Sequence, residues 1–216
     1  MKLAFSQDEL DKLVSVDRLV VEPTVAGSGR NDVNFRVKID GKHIWQYATW
    51  IDLLKRCFSE RLKTRRPTYK DVTCCDEWLS FANFFEWVNR EVDYKGRPIG
   101  MALDKDIIVR GNKVYSPSTC TFVPEVVNSL VSDSKSARGV LPVGVHLDSF
   151  SGKYVAQFSF FGKSKHIGYY ADPKEAFAAY KIAKEAQIRV VASQYKAVLK
   201  KEAHDALMRW EIFENA

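Results

Sequence analysis

The 216-residue sequence predicts an α+β fold, and three observations carry that reading. Apolar residues recur at helical spacing in two stretches of the first half. Short β-branched runs bounded by turn dipeptides follow in the centre and again after residue 139. A strong helix start at Asp172 then opens a long amphipathic stretch. Hydrophobic residues make up 46% and charged residues 28%, a balance from which packed cores form, and the length allows one or two domains.

In chain order, residues 17 to 44 read as a β hairpin or small sheet. Arg18 to Val21 and Asn34 to Ile39 are strand-like, and Asp40-Gly41 is a tight-turn signal before Lys42 to Trp45. Trp50, Leu53, Leu54 and Cys57 share one helix face, which predicts a helix over Tyr47 to Phe58. Glu60 to Lys70, with five basic residues and Pro67, reads as an exposed loop. A helix over 76 to 91 is predicted by the stripe Trp78, Phe81, Phe84, Phe85 and Val88, whose ordinary role is core. Turns and short strands occupy Leu103 to Pro124, a helix starts near Val126 to Leu130, and the polar run Ser132 to Arg138 reads as a linker.

Beyond the linker, Val140 to Leu147, Lys153 to Phe160 and Lys165 to Tyr170 are three short strands separated by SFSG and FGKS turns. Asp172 is then a helix N-cap, Pro173 its first residue and Glu175 the third position of a capping box. Helical spacing from Phe177 to Trp210 predicts two helices broken near Lys200 to Ala203. Three segments result: a hairpin region 1–44, a central module 45–131, and a C-terminal domain 139–216.

Lys plus Arg number 33 against 27 acids, a net charge of +6 compatible with a polyanion but not diagnostic of one. The N-terminus MKLAFSQDEL lacks the apolar core of a signal peptide. Nor does any uninterrupted apolar run approach the roughly 18 residues of a membrane span. The expectation is a cytoplasmic protein with thiols rather than disulfides at its four cysteines.

Three strands and one covering helix leave the second sheet face to water or to a partner. Its candidate outward residues are His146, Lys153, Gln157, Ser159, Lys163, Lys165 and His166. They suit phosphates and base edges, although an ordinary solvated face has much the same composition. The stretch GVHLDSFSGKYVAQFSFFGKSKHIGYYADPKEAFAAYKIAKEA resembles the plant ethylene-response-factor-type (APETALA-like) DNA-binding domain, whose phage relatives occur beside HNH endonucleases. The resemblance covers about 45 residues in order and spacing. It implies double-stranded DNA as partner and a sheet laid in the major groove. The contacts it implies are His146, Lys153, Tyr154, Gln157, Ser159, Lys165 and His166. Where plant members carry Arg or Trp, this chain has Val143, Ser159 and His166.

The central motifs TWIDLLKRC (49–57), CDEWLSFANF (75–84) and LDKDIIVRGNKVYSPSTCTFVP (103–124) together resemble the phage HNH-type homing endonucleases, of the ββα-metal fold. That family implies a carboxylate holding Mg²⁺ or Mn²⁺, a His that deprotonates water, and a second ligand from the following helix. Asp104 matches the carboxylate, Lys105 stands in the general-base position, and Thr119 replaces the second-ligand Asn. A solvated lysine is protonated at neutral pH and accepts no proton. Asp106 and Asn112 are substitute ligands, and Lys113 a phosphate contact. Two readings stay open: a metal-dependent endonuclease or nickase using Asp104 and Asp106, in the bacterial host cytoplasm, or a non-catalytic DNA-binding repressor or interference factor on a degenerate nuclease scaffold. Asp104 as a plain turn acid fits the second.

Cys57, Cys75 and Cys120 fall on positions matching that family, which raises a structural Zn²⁺. Their spacing lacks the close pairs of zinc ribbons, so core thiols are the reading preferred. The basic run Lys63, Arg65, Arg66 and Lys70 is either a solvated loop or a further phosphate contact.

Overall fold

The computed structural model describes residues 25–91, 100–132 and 141–214. The expected strand at Arg18 to Val21 and residues 133–138 of the expected linker lie outside them. The architecture is mixed α+β, and the chain divides after Phe122 into two compact units. Among the described residues, no helix is long and apolar enough to cross a membrane.

In the first unit, β1 (Lys38–Ile39) and β2 (Lys42–His43) pair antiparallel around the Asp40-Gly41 turn, as that dipeptide predicts. Helix α1 (Trp45–Phe58) buries Trp50, Leu53, Leu54 and Cys57, the face predicted from spacing. The basic stretch expected as a loop is instead a short helix, α2 (Glu60–Arg65), followed by a 3-10 turn at Pro67–Tyr69. Ser59 explains the difference: its hydroxyl accepts from the Leu62 amide at 3.3 Å, a cap that starts a helix before Pro67 interrupts it.

Strand β3 (Thr73–Cys74) pairs in parallel with β5 (Val114–Tyr115). Between them a 3-10 turn (Asp76–Leu79) and helix α3 (Phe81–Glu91) divide the predicted helix at Ser80. Trp78 and Phe81 are fully enclosed, and the Trp50 indole donates to the Trp78 carbonyl at 2.7 Å, so α1 is tied to the turn before α3 by packing and by a buried hydrogen bond. Strand β4 (Met101–Asp104) pairs with β6 (Thr121–Pro124).

The second unit begins within β6, so helix α4 (Glu125–Val131), read from sequence as the end of the central module, belongs to the C-terminal fold. Val127 and Leu130 are its buried residues. Strands β7 (Val145–Leu147), β8 (Tyr154–Phe160) and β9 (Lys163–Tyr170) form one antiparallel sheet in that order. Helix α5 (Pro173–Gln194) starts at Asp172, whose carboxylate accepts from the amides of Lys174 at 2.7 Å and Glu175 at 3.3 Å. It packs over the sheet and against α4 and α6 (Lys201–Met208). Glu185 fastens the C-terminal segment to α5: it accepts from Lys181 at 2.6 Å and from the Ile212 amide at 2.8 Å.

Candidate nucleic-acid interface

The register of the sheet decides which side chains share a face, because alternate residues of a strand point to opposite sides. Phe158 packs on Tyr180 of α5, so the parity of Phe158 and Ala156 marks the helix side. The other parity of β8 carries Val155, Gln157 and Ser159, with Lys153 just before the strand. Cross-strand pairing adds His146 opposite Val155, His166 opposite Gln157, Ser164 opposite Ser159 and Tyr169 opposite Val155. All are exposed except Gln157, which is half-buried, and Val155, which is buried. The Ser164 hydroxyl donates to Gln157 Oε1 at 3.0 Å, and the His166 and Tyr169 rings sit 4.9 Å apart. The open face therefore presents hydroxyl, carboxamide, imidazole and phenol groups around one lysine.

Five of the seven contacts implied by resemblance, His146, Lys153, Gln157, Ser159 and His166, come together there. Two do not. Lys165 pairs with Phe158, its ammonium lies 5.5 Å from that ring and donates to Gln187 of α5 at 2.9 Å, so it lines the helix side. Tyr154 shares that parity, opposite Leu147 and Tyr170. Lys163, another expected outward residue, stands opposite Phe160 on the same side, and Val143 is buried. Ser164 and Tyr169, which the sequence pattern did not single out, also lie on the open face. The ladder slips at Ile167: Gln157 pairs with His166 but Ala156 with Gly168, which moves Tyr169 onto the open face. A glycine late in a strand was the available signal.

The sheet matches the dimensions of a groove. Three strands about 4.8 Å apart place the outer two about 10 Å from each other, against a major groove about 12 Å wide.

In the first unit, the residues of the nuclease-like pattern form a closed loop. Asp104 is buried, and its Oδ1 accepts from the amides of Asp106 at 2.8 Å and Ile107 at 2.7 Å, an Asx turn. Burial raises its carboxyl to about 6; the Asp106 charge adds to this and the two amides oppose it. Lys105 is buried too. Its ammonium donates to Asp106 Oδ2 at 2.8 Å and to the Asn112 carbonyl at 3.0 Å, with the Tyr115 ring 6.0 Å away. The Asn112 side chain is spent on the backbone: Nδ2 donates to the Lys105 and Val114 carbonyls, each at 2.7 Å, and Oδ1 accepts from the Val114 amide at 3.1 Å. The Thr119 hydroxyl donates to the Val114 carbonyl at 3.0 Å. Lys113 is exposed.

The polar groups of this loop are engaged with one another. An ammonium already neutralises Asp106, Asn112 and Thr119 hold backbone, and the cation beside the carboxylates is covalently part of the chain. As a general base, Lys105 is engaged as a donor on both its contacts.

The cysteines follow the core-thiol reading in part. Cys57 and Cys120 are buried, but their neighbour is Cys74 rather than Cys75. A hydrogen bond with Cys57, then burial and the nearby Cys75 and Cys120, push the Cys74 thiol up. Burial likewise pushes Cys120 up to about 12. Cys75 instead lies beside Glu77 and Trp78, where burial raises its thiol. Among the described residues no group of three or more His, Cys, Asp or Glu side chains is arranged to hold a metal ion. Comparison of the chain with protein-family models, with curated proteins and with solved structures gives no match.

Proposed function

We propose that this chain is a non-catalytic, sequence-specific double-stranded DNA-binding protein of the HNH homing-endonuclease lineage, which reads bases with the open face of β7, β8 and β9. The observation that carries the reading is that face: mostly polar, exposed except at Gln157 and Val155, of groove width, and backed by α5 on its other side. Its groups match base edges. A carboxamide such as Gln157 pairs with adenine N6 and N7, and the imidazoles of His146 and His166 offer donors and acceptors to purine edges. Lys153 meets a phosphate. Tyr154 and Lys165 leave the contact set, and Ser164 and Tyr169 join it.

Against cleavage stands the Asp104–Thr119 loop, in which each group assigned to metal or water chemistry already has a structural partner. The reading suits a repressor or interference factor.

Selection of bound sites from a random duplex library tests it. The full chain is expected to enrich one motif, and Gln157→Ala with His166→Ala to lose that preference while Tyr154→Phe retains it. A plasmid-nicking assay with Mg²⁺ or Mn²⁺ is expected to show no cleavage. Cleavage abolished by Asp104→Ala would return the nuclease reading, and absence of any enriched motif would remove the reading face.

A further inference from the structure

Phosphate neutralisation supplies most non-specific DNA affinity, yet the open sheet face holds a single lysine. The positive charge of this chain is concentrated elsewhere. Residues 55–70 carry seven basic side chains against one acid, Glu60, a surplus equal to the formal net charge of +6 for the whole sequence. The rest of the chain is balanced.

Two of the seven have internal partners. Arg56 donates to the Tyr115 hydroxyl at 3.1 Å and lies 5.7 Å from the Tyr69 ring, and Lys63 leans toward Glu60 at 3.8 Å. Arg61, Arg65, Arg66 and Lys70 are exposed, and none of them forms an ion pair among the described residues. Their backbone is nevertheless well fixed. Ser59 caps α2, the Arg66 amide donates to the Leu62 carbonyl at 2.8 Å, the Lys70 amide to the Pro67 carbonyl at 3.0 Å, and the following Val72 is buried. Arg61 and Arg65 stand one turn apart on α2, where like charges repel by a few tenths of a kcal/mol. An ordered ridge of unneutralised guanidinium groups suits an array of phosphates, which arginine binds with paired hydrogen bonds.

We infer that this α2 ridge is a second, sequence-independent docking surface for the phosphate backbone of double-stranded DNA, distinct from the base-reading sheet. For the identity of the partner it rests on the reading above. A lipid surface is disfavoured, because membrane-binding basic helices carry apolar side chains that insert, and no large hydrophobic residue is exposed between residues 55 and 70.

The test is fluorescence anisotropy of a labelled duplex of arbitrary sequence with the full chain, between about 50 and 200 mM salt. The ridge variant Arg61→Gln/Arg65→Gln/Arg66→Gln/Lys70→Gln is compared with Arg61→Lys/Arg65→Lys/Arg66→Lys and with the sheet variant Gln157→Ala/His166→Ala. Each phosphate contact contributes about 0.9 to the log–log salt slope, so with all four cations in contact the glutamine variant is expected to bind with a slope shallower by about 3.6 and at least about tenfold more weakly at the lowest salt. The lysine variant is expected to retain the slope, which also shows that the substituted segment still folds. If the glutamine variant keeps wild-type slope and affinity, the inference is overturned, whatever the sheet variant does. If the ridge variant loses arbitrary duplexes while wild type and sheet variant show the same base preference or none, the ridge stands and the sheet reading falls. Ridge-dependent binding to phosphatidylserine vesicles, with duplex binding unchanged, would assign the ridge to membranes and overturn the proposal.

Discussion

Replacing Asp104 with Asn separates a structural acid from a metal ligand. The carboxyl titrates at about 6 in the fold against 3.8 as an unhindered side chain. Burial is the main cause, and the charge of Asp106 adds to it. A shift of roughly two pH units corresponds to about 3 kcal/mol between protonation states. The sign follows from which state holds the proton. Between about pH 4 and pH 6 the folded chain keeps a proton that the unfolded chain releases, so stability falls as pH rises through that window. Above it, the full cost of burying the charge is present. Asparagine has no charge to bury, and its Oδ1 still accepts from the Asp106 and Ile107 amides. Urea unfolding followed by tryptophan fluorescence reports the relevant unit, since Trp45, Trp50, Trp78 and Trp87 all precede residue 123. Wild type is expected to lose about 2–3 kcal/mol more than Asp104→Asn on going from about pH 4 to pH 7. Parallel stability curves for the two proteins would refute the argument, because they require Asp104 to titrate like an exposed carboxylate.

Two further outcomes follow from backbone geometry in the second unit. Gly144 has φ of +75°, and a Cβ there would lie 2.1 Å from the Tyr180 ring, so Gly144→Ala is expected to cost about 3 kcal/mol or more in thermal or urea unfolding read by Trp210. Phe161 and Gly162 join β8 to β9 with φ of 51° and 71°, a turn that favours Asn at its first position. Phe161→Asn is therefore expected to raise stability by up to about 1 kcal/mol, measured as a shift in the unfolding midpoint.

Local signals were legible where one side chain determines local geometry. The α1 face followed from the spacing of Trp50, Leu53, Leu54 and Cys57, and the start of α5 from Asp172, Pro173 and Glu175. The parts that were not legible depend on tertiary register. KSKHIGYY alternates polar side chains at both parities, so nothing local says that Lys165 lies over Phe158 while His166 faces outward. The slip at Ile167 then reverses the parity of Tyr169 and Tyr170. Cys74 and Cys75 pose the same problem, since adjacent residues point opposite ways and only the pairing of β3 with β5 selects the one near Cys57. The helical state of α2 was hidden for another reason: six residues ending before a proline bury too little to show a periodic stripe, and only the Ser59 cap marks them.

The loop around Asp104 holds two neighbouring carboxylates beside a buried lysine. Two neighbouring carboxylates repel, and a fold that holds them near a buried position needs a cation. Lys105 supplies it from within the chain, with its ammonium on Asp106 and on the Asn112 carbonyl. Lys105→Met keeps the aliphatic stem beside Tyr115 but removes the charge. Because the Asp106 side chain is 43% exposed, the loss is expected to be about 1–3 kcal/mol rather than that of a fully buried pair. With the ammonium gone, the acids face each other uncompensated, so millimolar Mg²⁺ is expected to raise the melting temperature of Lys105→Met and to leave wild type unchanged. Ligand linkage sets the scale: occupancy at a hundredfold excess over Kd stabilises by about 2.7 kcal/mol. Stabilisation of wild type by Mg²⁺, lost in Asp104→Ala, would mean that lysine and metal coexist, and that the argument from Lys105 against cleavage is wrong.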